Sequence, residues 1–442
     1  MRTLKVLIGL TVTMLLLAAC TVQPGGLAVP GGQEMPRPEG AKIVLRVGTG
    51  DSGEGLTPHF TIIQEFEAAN EDIQVQVEPV GSGDYYARIL TQIAAGDPPD
   101  LLQIGDDAVP MFVDRGAFAP LDEYIASAEF PLDTSIYLPG VLEPGQWNGK
   151  QYLLPKDFSP LAVYYNKRVF DDAGLPYPQD GWTWEEFLAT AQALTQVDAN
   201  GNTIQWGVQL PAAWTTGFEY WVGAAGGRLI SEDGTQFVGF MDAPEVQAAV
   251  QFYADLYNVH KVAPLPAAMN AFGGGNSEFD NGTAAMRIFG RWPQAGMKEN
   301  PNIDLGVVGM PVGAQRANVL FWGGFGLSAL SQEKDAAWRF MREYTGEMGA
   351  EVWKDWALPT VRSVAESSGL AADPIEGVWL NELNYLVPRA YVFTPYWGQT
   401  ADPALRKVLE TVILDPEADV PALLATAAQE AQAALDELLA QE

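Results

Sequence analysis

The sequence predicts an α/β protein built on a parallel sheet covered by helices. Two observations carry this. Short apolar strands near residues 43–47, 73–77 and 100–104 alternate with stretches of helical periodicity, and parallel neighbours need such crossovers. Further on, residues 152–154 and 161–165 are aromatic and β-branched runs interrupted by Pro155, Asp157 and Pro160, groups that suit neither a ladder nor a core. That pattern predicts a strand crossing between two bodies.

At the start of the chain, Arg2 and Lys5 precede an apolar stretch over residues 6–17, and Leu17-Ala18-Ala19-Cys20 closes it in the manner of a bacterial lipobox. The run is shorter than the roughly 20 apolar residues a bilayer crossing needs. Residues 1–19 are therefore expected to be a signal peptide, Cys20 the lipid-bearing residue, and the Gly/Pro-rich residues 20–40 a tether.

The first strand leads into a glycine-rich loop with Asp51 and Ser52, and Thr57-Pro58 opens a helix whose Ile62, Ile63, Phe66 and Ala69 share a face. Ile73, Val75 and Val77 alternate with glutamines, as in a strand with one wet face. Asp84 is expected to cap the next helix, Gly96-Asp97-Pro98-Pro99 ends it, and the third strand runs into Gly105-Asp106-Asp107. Ligands of open α/β sheets lie beyond the carboxyl ends of the strands, which marks Asp51, Ser52, Asp106 and Asp107. Later, Thr183 and Glu186 form a capping box before a helix whose Trp184, Phe187, Leu188, Ala191 and Leu194 line one side. Asp198-Ala199-Asn200-Gly201-Asn202 resembles the start of a calcium loop, but Gln209 stands where a bidentate carboxylate is required, so an Asn-Gly hairpin is expected. A helix starts at Pro244, a strand over 284–288 ends in Gly290-Arg291-Trp292, another strand covers 304–310, and an Ala/Leu helix covers 423–439.

The chain has 442 residues, 48% of them hydrophobic, enough for more than one core. Lys+Arg number 25 against 56 Asp+Glu, a formal net charge of −31, so a phosphate backbone would be repelled and nucleic acid is not an expected partner. One cysteine allows no internal disulfide, and two histidines, His59 and His260, read as ordinary surface or helix residues, cannot build a multi-histidine zinc site. Gly50-Asp51-Ser52-Gly53 resembles an esterase nucleophile segment, but Tyr257 stands three before His260 and no later histidine offers the base. No phosphate-binding loop ending in Gly-Lys-Ser/Thr occurs. On residues alone, Asp51, Asp106, Asp107 and Asp157 leave glycoside hydrolysis open.

In the middle of the chain, Gly149-Lys150-Gln151-Tyr152-Leu153-Leu154-Pro155, Tyr164-Tyr165-Asn166-Lys167, a Gly-Leu-Pro-x-Pro segment from Gly174, and Trp182-Thr183-Trp184-Glu185-Glu186-Phe187 follow one another. In this order and spacing they resemble the sugar-binding branch of the extracellular solute-binding lipoproteins that serve ABC importers, the maltose-binding type being the best known. The resemblance covers most of the chain after residue 40. It implies a type II periplasmic-binding-protein fold with each lobe discontinuous: residues 41–157 plus 312–362, and 158–311 plus 363–442. Hinge crossings would lie near 156–160, 308–314 and 360–375. It also implies an extracytoplasmic, membrane-anchored monomer that is no enzyme, needs no cofactor or metal, and passes a sugar to an ABC permease.

Sugars present flat C–H faces with hydroxyl rims, so rings can stack while acids and amides read the rim. The resemblance assigns stacking or close approach to Trp292, Trp322, Gly323, Gly324, Tyr396 and Trp397, the glycines exposing backbone amides. Asp157, Asp106 or Asp107, and Asp51 or Ser52 would accept hydroxyls. Trp214, Trp221 and Trp356 are further aromatic candidates, and Arg291 either pairs with an acid or touches ligand. A carbohydrate-cleaving lipoprotein, and a receptor for peptide or a phosphorylated polyol, stay as alternatives.

Overall fold

The computed structural model describes residues 42–80, 85–266 and 277–441. The expected signal peptide, the tether, Cys20 and the Asp84 cap lie outside the described residues. Twelve strands are present among those described: β1 (Ile43–Thr49), β2 (Ile73–Pro79), β3 (Leu101–Gly105), β4 (Gln146–Trp147), β5 (Lys150–Gln151), β6 (Leu153–Pro160), β7 (Ala162–Asn166), β8 (Gln196–Val197), β9 (Thr203–Gln209), β10 (Ala284–Phe289), β11 (Leu305–Val308) and β12 (Leu320–Leu327).

Two five-stranded sheets result, in the orders β2-β1-β3-β12-β6 and β11-β7-β10-β9-β8. In the first, β1 is parallel to β2 and β3, as the alternation of strand and helix demands, while β12 runs antiparallel to both β3 and β6. Strand β6 is an edge strand. That explains Pro155 and Pro160 within it, since proline removes a ladder donor and is tolerated only where one side is unpaired. In the second sheet β7 is flanked by β11 and β10, and all five of its residues are buried. Val163 and Tyr165 face one apolar cluster and Ala162 and Tyr164 the other, which is why the run reads as continuously hydrophobic.

Residues Ile43–Glu442 form one unit around these two sheets and their two cores. The chain passes between the sheets at Leu161, which separates β6 from β7, and again over 309–319, between β11 and β12. The helices Lys334–Thr345, Glu347–Trp353 and Arg362–Ser367 pack on the first core, whereas Ala401–Leu414 and Val420–Leu439 pack on the second. The stretch joining them, with helix Glu376–Glu382, is a third passage. Asn318 ties the three together: its amide accepts from the Leu161 N–H at 3.0 Å and donates to the Leu161 carbonyl at 2.8 Å and to Glu382 at 2.6 Å.

Local chemistry accounts for the element ends. Thr183 and Glu186 close a capping box on helix Trp184–Leu194, saturating two amides that would otherwise face solvent. Asp198 accepts from the amides of Asn200 and Asn202 in the loop between β8 and β9, so this stretch is a hairpin. Asp419 caps Val420–Leu439, whose Leu424, Ala427, Ala428, Ala431 and Leu435 are buried at helical spacing. Among the described residues no helix is long and apolar enough to cross a membrane.

Candidate functional site

The carboxyl ends of β1, β3 and β6 and the amino end of β12 meet at one end of the first sheet, because β12 runs against both neighbours. Register places Gly323 opposite Gly105 on one side and Asp157 on the other. Thr49 to Asp51, Gly105 to Asp107, Lys156 and Asp157, and Leu320 to Gly323 therefore gather there. In the second sheet β9 and β10 are parallel, so Trp214 and Trp292 follow strand ends on the same side.

The acids at the first sheet are held by cations that sequence reasoning had passed over. Lys156, with only 2% of its side chain exposed, lies 2.8 Å from Asp51 Oδ2 and 3.3 Å from Asp157 Oδ2, with its ammonium 4.2 Å from the Trp353 ring centre. The Gln103 amide fits this network with its oxygen toward Lys156 at 2.9 Å and its nitrogen toward Asp51 at 3.2 Å. His59 Nε2 lies 2.8 Å from Asp51, and its Nδ1 lies 2.9 Å from the Tyr344 hydroxyl. His59 is thus a fully buried framework residue, contrary to the expectation of an ordinary surface or helix position. Burial lowers its pKa, with the Asp51 hydrogen bond opposing, which leaves the imidazole neutral. Burial would raise the Asp51 pKa, but Lys156 and His59 outweigh it and hold the carboxyl well below the usual range. Asp51 is accordingly held ionised by Lys156 and His59 through its Oδ2, while 29% of its side chain is exposed, so the hydroxyl-accepting role expected of it stays open. Asp157 retains an opening of 14%. Ser52 and Asp107 are exposed.

Asp106 takes part in a second knot. Its Oδ2 accepts from Arg389 Nη1 at 3.0 Å and from the Tyr391 hydroxyl. Arg389 also donates to the Leu320 carbonyl at 2.9 Å and lies 3.6 Å from Glu219, whose other oxygen accepts from the Ala390 N–H at 2.6 Å. Burial pushes Glu219 up to about 7, against the pull of Arg389. Burial likewise raises Asp106, with Arg389 and Tyr391 opposing. Asp106 and Tyr391 line a groove of about 340 Å³ together with Pro110, Glu143, Trp147 and Asn148. Trp147 is fixed there by its indole N–H, which donates to Asp114 at 2.8 Å. It sits at the β4–β5 turn, where Asn148 and Gly149 both take positive φ as a two-residue hairpin requires.

The aromatic surface is Trp292, 42% exposed. Its ring meets Phe289 and Phe321 edge-on at 5.4 and 5.5 Å, and Trp214 stacks on Phe321 at 4.8 Å. Phe321 comes from β12 and the tryptophans from the second sheet's loops, so this cluster joins both sheets. Gly290 makes it possible: a methyl group there would lie 2.1 Å from the Trp292 ring.

Several expected ligand contacts are corrected. Trp322 is 4% exposed and donates its indole N–H to the Val141 carbonyl, so it packs the first core, and its neighbour Phe321 joins the aromatic cluster. Gly323 and Gly324 lie in a strand between β3 and β6, regular against β3 but with a register shift between the two glycines on the β6 side. They are glycine because a side chain at 323 would strike Asp157 and one at 324 the Trp322 ring. Trp221 and Trp397 are buried among helices of the second core. Arg291 pairs with Glu376 at 2.7 Å. Trp356 and Tyr396 are half-buried against the first and second cores respectively.

Residues 61–351 match the family described as bacterial extracellular solute-binding protein. An ABC substrate-binding protein from Listeria monocytogenes in complex with cycloalternan superposes with a TM-score of 0.79 at 26% identity, over 90% of this chain and 99% of that one. An ABC transporter solute binding protein from Thermotoga lettingae bound with alpha-D-tagatose gives 0.77 at 25% identity, over 89% and 100%. The diacetylchitobiose binding protein DasA of Streptomyces coelicolor is 26% identical over 349 residues, 77% of each chain. The fold is that of the two-lobed type II periplasmic binding proteins, and the chain belongs to the bacterial extracellular solute-binding protein family.

Proposed function

We propose that this protein captures a mono- or oligosaccharide between its lobes and delivers it to the membrane permease of an ABC importer. Lipid on Cys20 anchors it outside the cytoplasm, and it works as a monomer without cofactor or bond cleavage. The lobes divide at Leu161, within 309–319 and after Ser367 rather than at the expected 157, 311 and 362, since β6 stays in the first sheet to Pro160 and helix Arg362–Ser367 packs on the first core. The observation that carries this reading is the open face of Trp292, backed by Trp214, Phe289 and Phe321 and drawn from both sheets. A sugar ring stacking there gains apolar contact, while Asp107, Asp157, Ser52 and the Trp147 groove offer acceptors and donors to its hydroxyls. Tyr396 and Trp356 are both partly open and remain candidates for ligand contact.

Such a ligand favours the closed arrangement because only there does it touch both walls. A non-enzymatic role is supported by the pairing of the carboxylates: Lys156 keeps Asp51 ionised, and Asp106 is occupied by Arg389 and Tyr391, so neither stands as a free proton donor. The test is calorimetric and fluorescence titration with a panel of neutral sugars, followed by chromatography of the sugar. Saturable binding with the sugar recovered intact is expected. Product formation, or silence across all sugars with a response to peptides, overturns it.

A further inference from the structure

Among the described residues that line the 340 Å³ groove there is neither lysine nor arginine, and the acids there are Asp106, paired with Arg389, and the exposed Glu143. Three cations stand close behind the proposed site, and each is buried against carboxylates. Lys156 faces Asp51 and Asp157, Arg389 faces Asp106 and Glu219, and Arg291 faces Glu376. Two of these cations thus serve two acids each. Asp107 and Glu143 stand exposed beside them.

Resting on the carbohydrate reading above, we propose that the site admits neutral and amine-bearing sugars and rejects phosphorylated and uronic-acid sugars. A phosphate or carboxylate entering the cleft would shed water beside a wall where Asp106 is paired with Arg389 and Glu143 carries the uncompensated charge, of the same sign. The exposed Lys150, across the β4–β5 turn from Trp147, is not among the described residues that line the groove. The cleft walls, of low dielectric, strengthen that repulsion, and the chain's net charge of −31 adds to it at long range. A protonated amine meets the opposite field, with Asp107, Glu143 and the Trp292 face all favourable to it.

The experiment is isothermal calorimetry on the purified protein with matched probes. Glucose and maltose are compared with glucosamine, glucose 6-phosphate, glucuronate, maltose 6′-phosphate and the free-amine disaccharide chitobiose, at low and high salt. The expected result is binding of at least one neutral probe, with its phosphorylated counterpart at least about tenfold weaker at low salt. That gap should narrow when salt shortens the screening length to about 3–4 Å. Asp107→Asn combined with Glu143→Gln should also shrink the gap, a change that a purely steric rejection would not show. A phosphorylated probe binding as tightly as its neutral parent overturns the proposal and leaves the carbohydrate reading intact. So does a gap that neither salt nor the double substitution moves. Failure of every sugar, neutral, cationic and anionic, overturns both together.

Discussion

The side-chain amide of Asn318 brackets the backbone of Leu161, accepting from its N–H at 3.0 Å and donating to its carbonyl at 2.8 Å. Leu161 is the single residue between β6 of one sheet and β7 of the other. The same amide donates to Glu382 of the third passage, and the Asn318 backbone bonds to Tyr385 and Val387 there. A buried amide in this position replaces the ladder that both strands lose where they change sheets. Replacing it by leucine leaves the Leu161 peptide and the Glu382 carboxylate without these partners. Asn318→Leu is expected to lower unfolding stability by about 3 kcal/mol or more, since each orphaned buried group costs about 1–3 kcal/mol. Urea unfolding monitored by circular dichroism measures this, and a loss below about 1 kcal/mol would contradict it.

Trp292 and Trp322 separate binding from packing. Trp292→Ala should weaken sugar binding by about 0.5–1.5 kcal/mol, the range of aromatic stacking contacts, and cost less stability than Trp322→Ala. Trp322→Ala removes a buried indole and leaves the Val141 carbonyl unpaired, and is expected to cost about 3–5 kcal/mol of stability. Paired calorimetry and denaturation of the two variants would show the opposite ranking if Phe321 and Trp322 had exchanged places in the register.

Lys156 carries an acid-sensitive share of stability. The Asp51 pKa is depressed in the folded chain, so its contribution is present above the ordinary carboxylate value of 3.8 and is lost as pH falls below it. Lys156→Met removes the main cause of that depression. The variant should be less stable near neutrality and should lose less on going from pH 6 to about pH 3 than the parent. A parallel decline of the two stability curves would be the contrary outcome.

Glu219 acts in the other direction. Its carboxyl is raised from 4.5 to about 7, so the folded chain favours the protonated acid. The associated stability is present below pH 4.5 and is lost as pH rises through about 7, by a few kcal/mol at most. Glu219→Gln should flatten that part of the pH–stability curve. An unchanged slope between pH 5 and about pH 8 would show that Arg389 keeps Glu219 ionised throughout.

Elements set by local rules were legible in the sequence. The Thr183 and Glu186 capping box, the Asn-Gly hairpin after Asp198 and the parallel β1 to β3 unit follow from short-range chemistry. The oddness of Asp157 in a strand was also visible, and Lys156 beside it gave the same signal. What could not be read was which face of β12 meets the core, because alternation has the same period for Phe321 and Trp322. Nor could the partner of Asp106, since Arg389 lies 283 residues away. The paired glycines were assigned to ligand approach because composition cannot distinguish a bare backbone facing solute from one making way for a neighbouring side chain.

Gly290 leaves the room across which the Trp292 indole lies. On the proposed reading, alanine at residue 290 would push the Trp292 plate from its seat, so a position that never meets the cargo governs the surface that does.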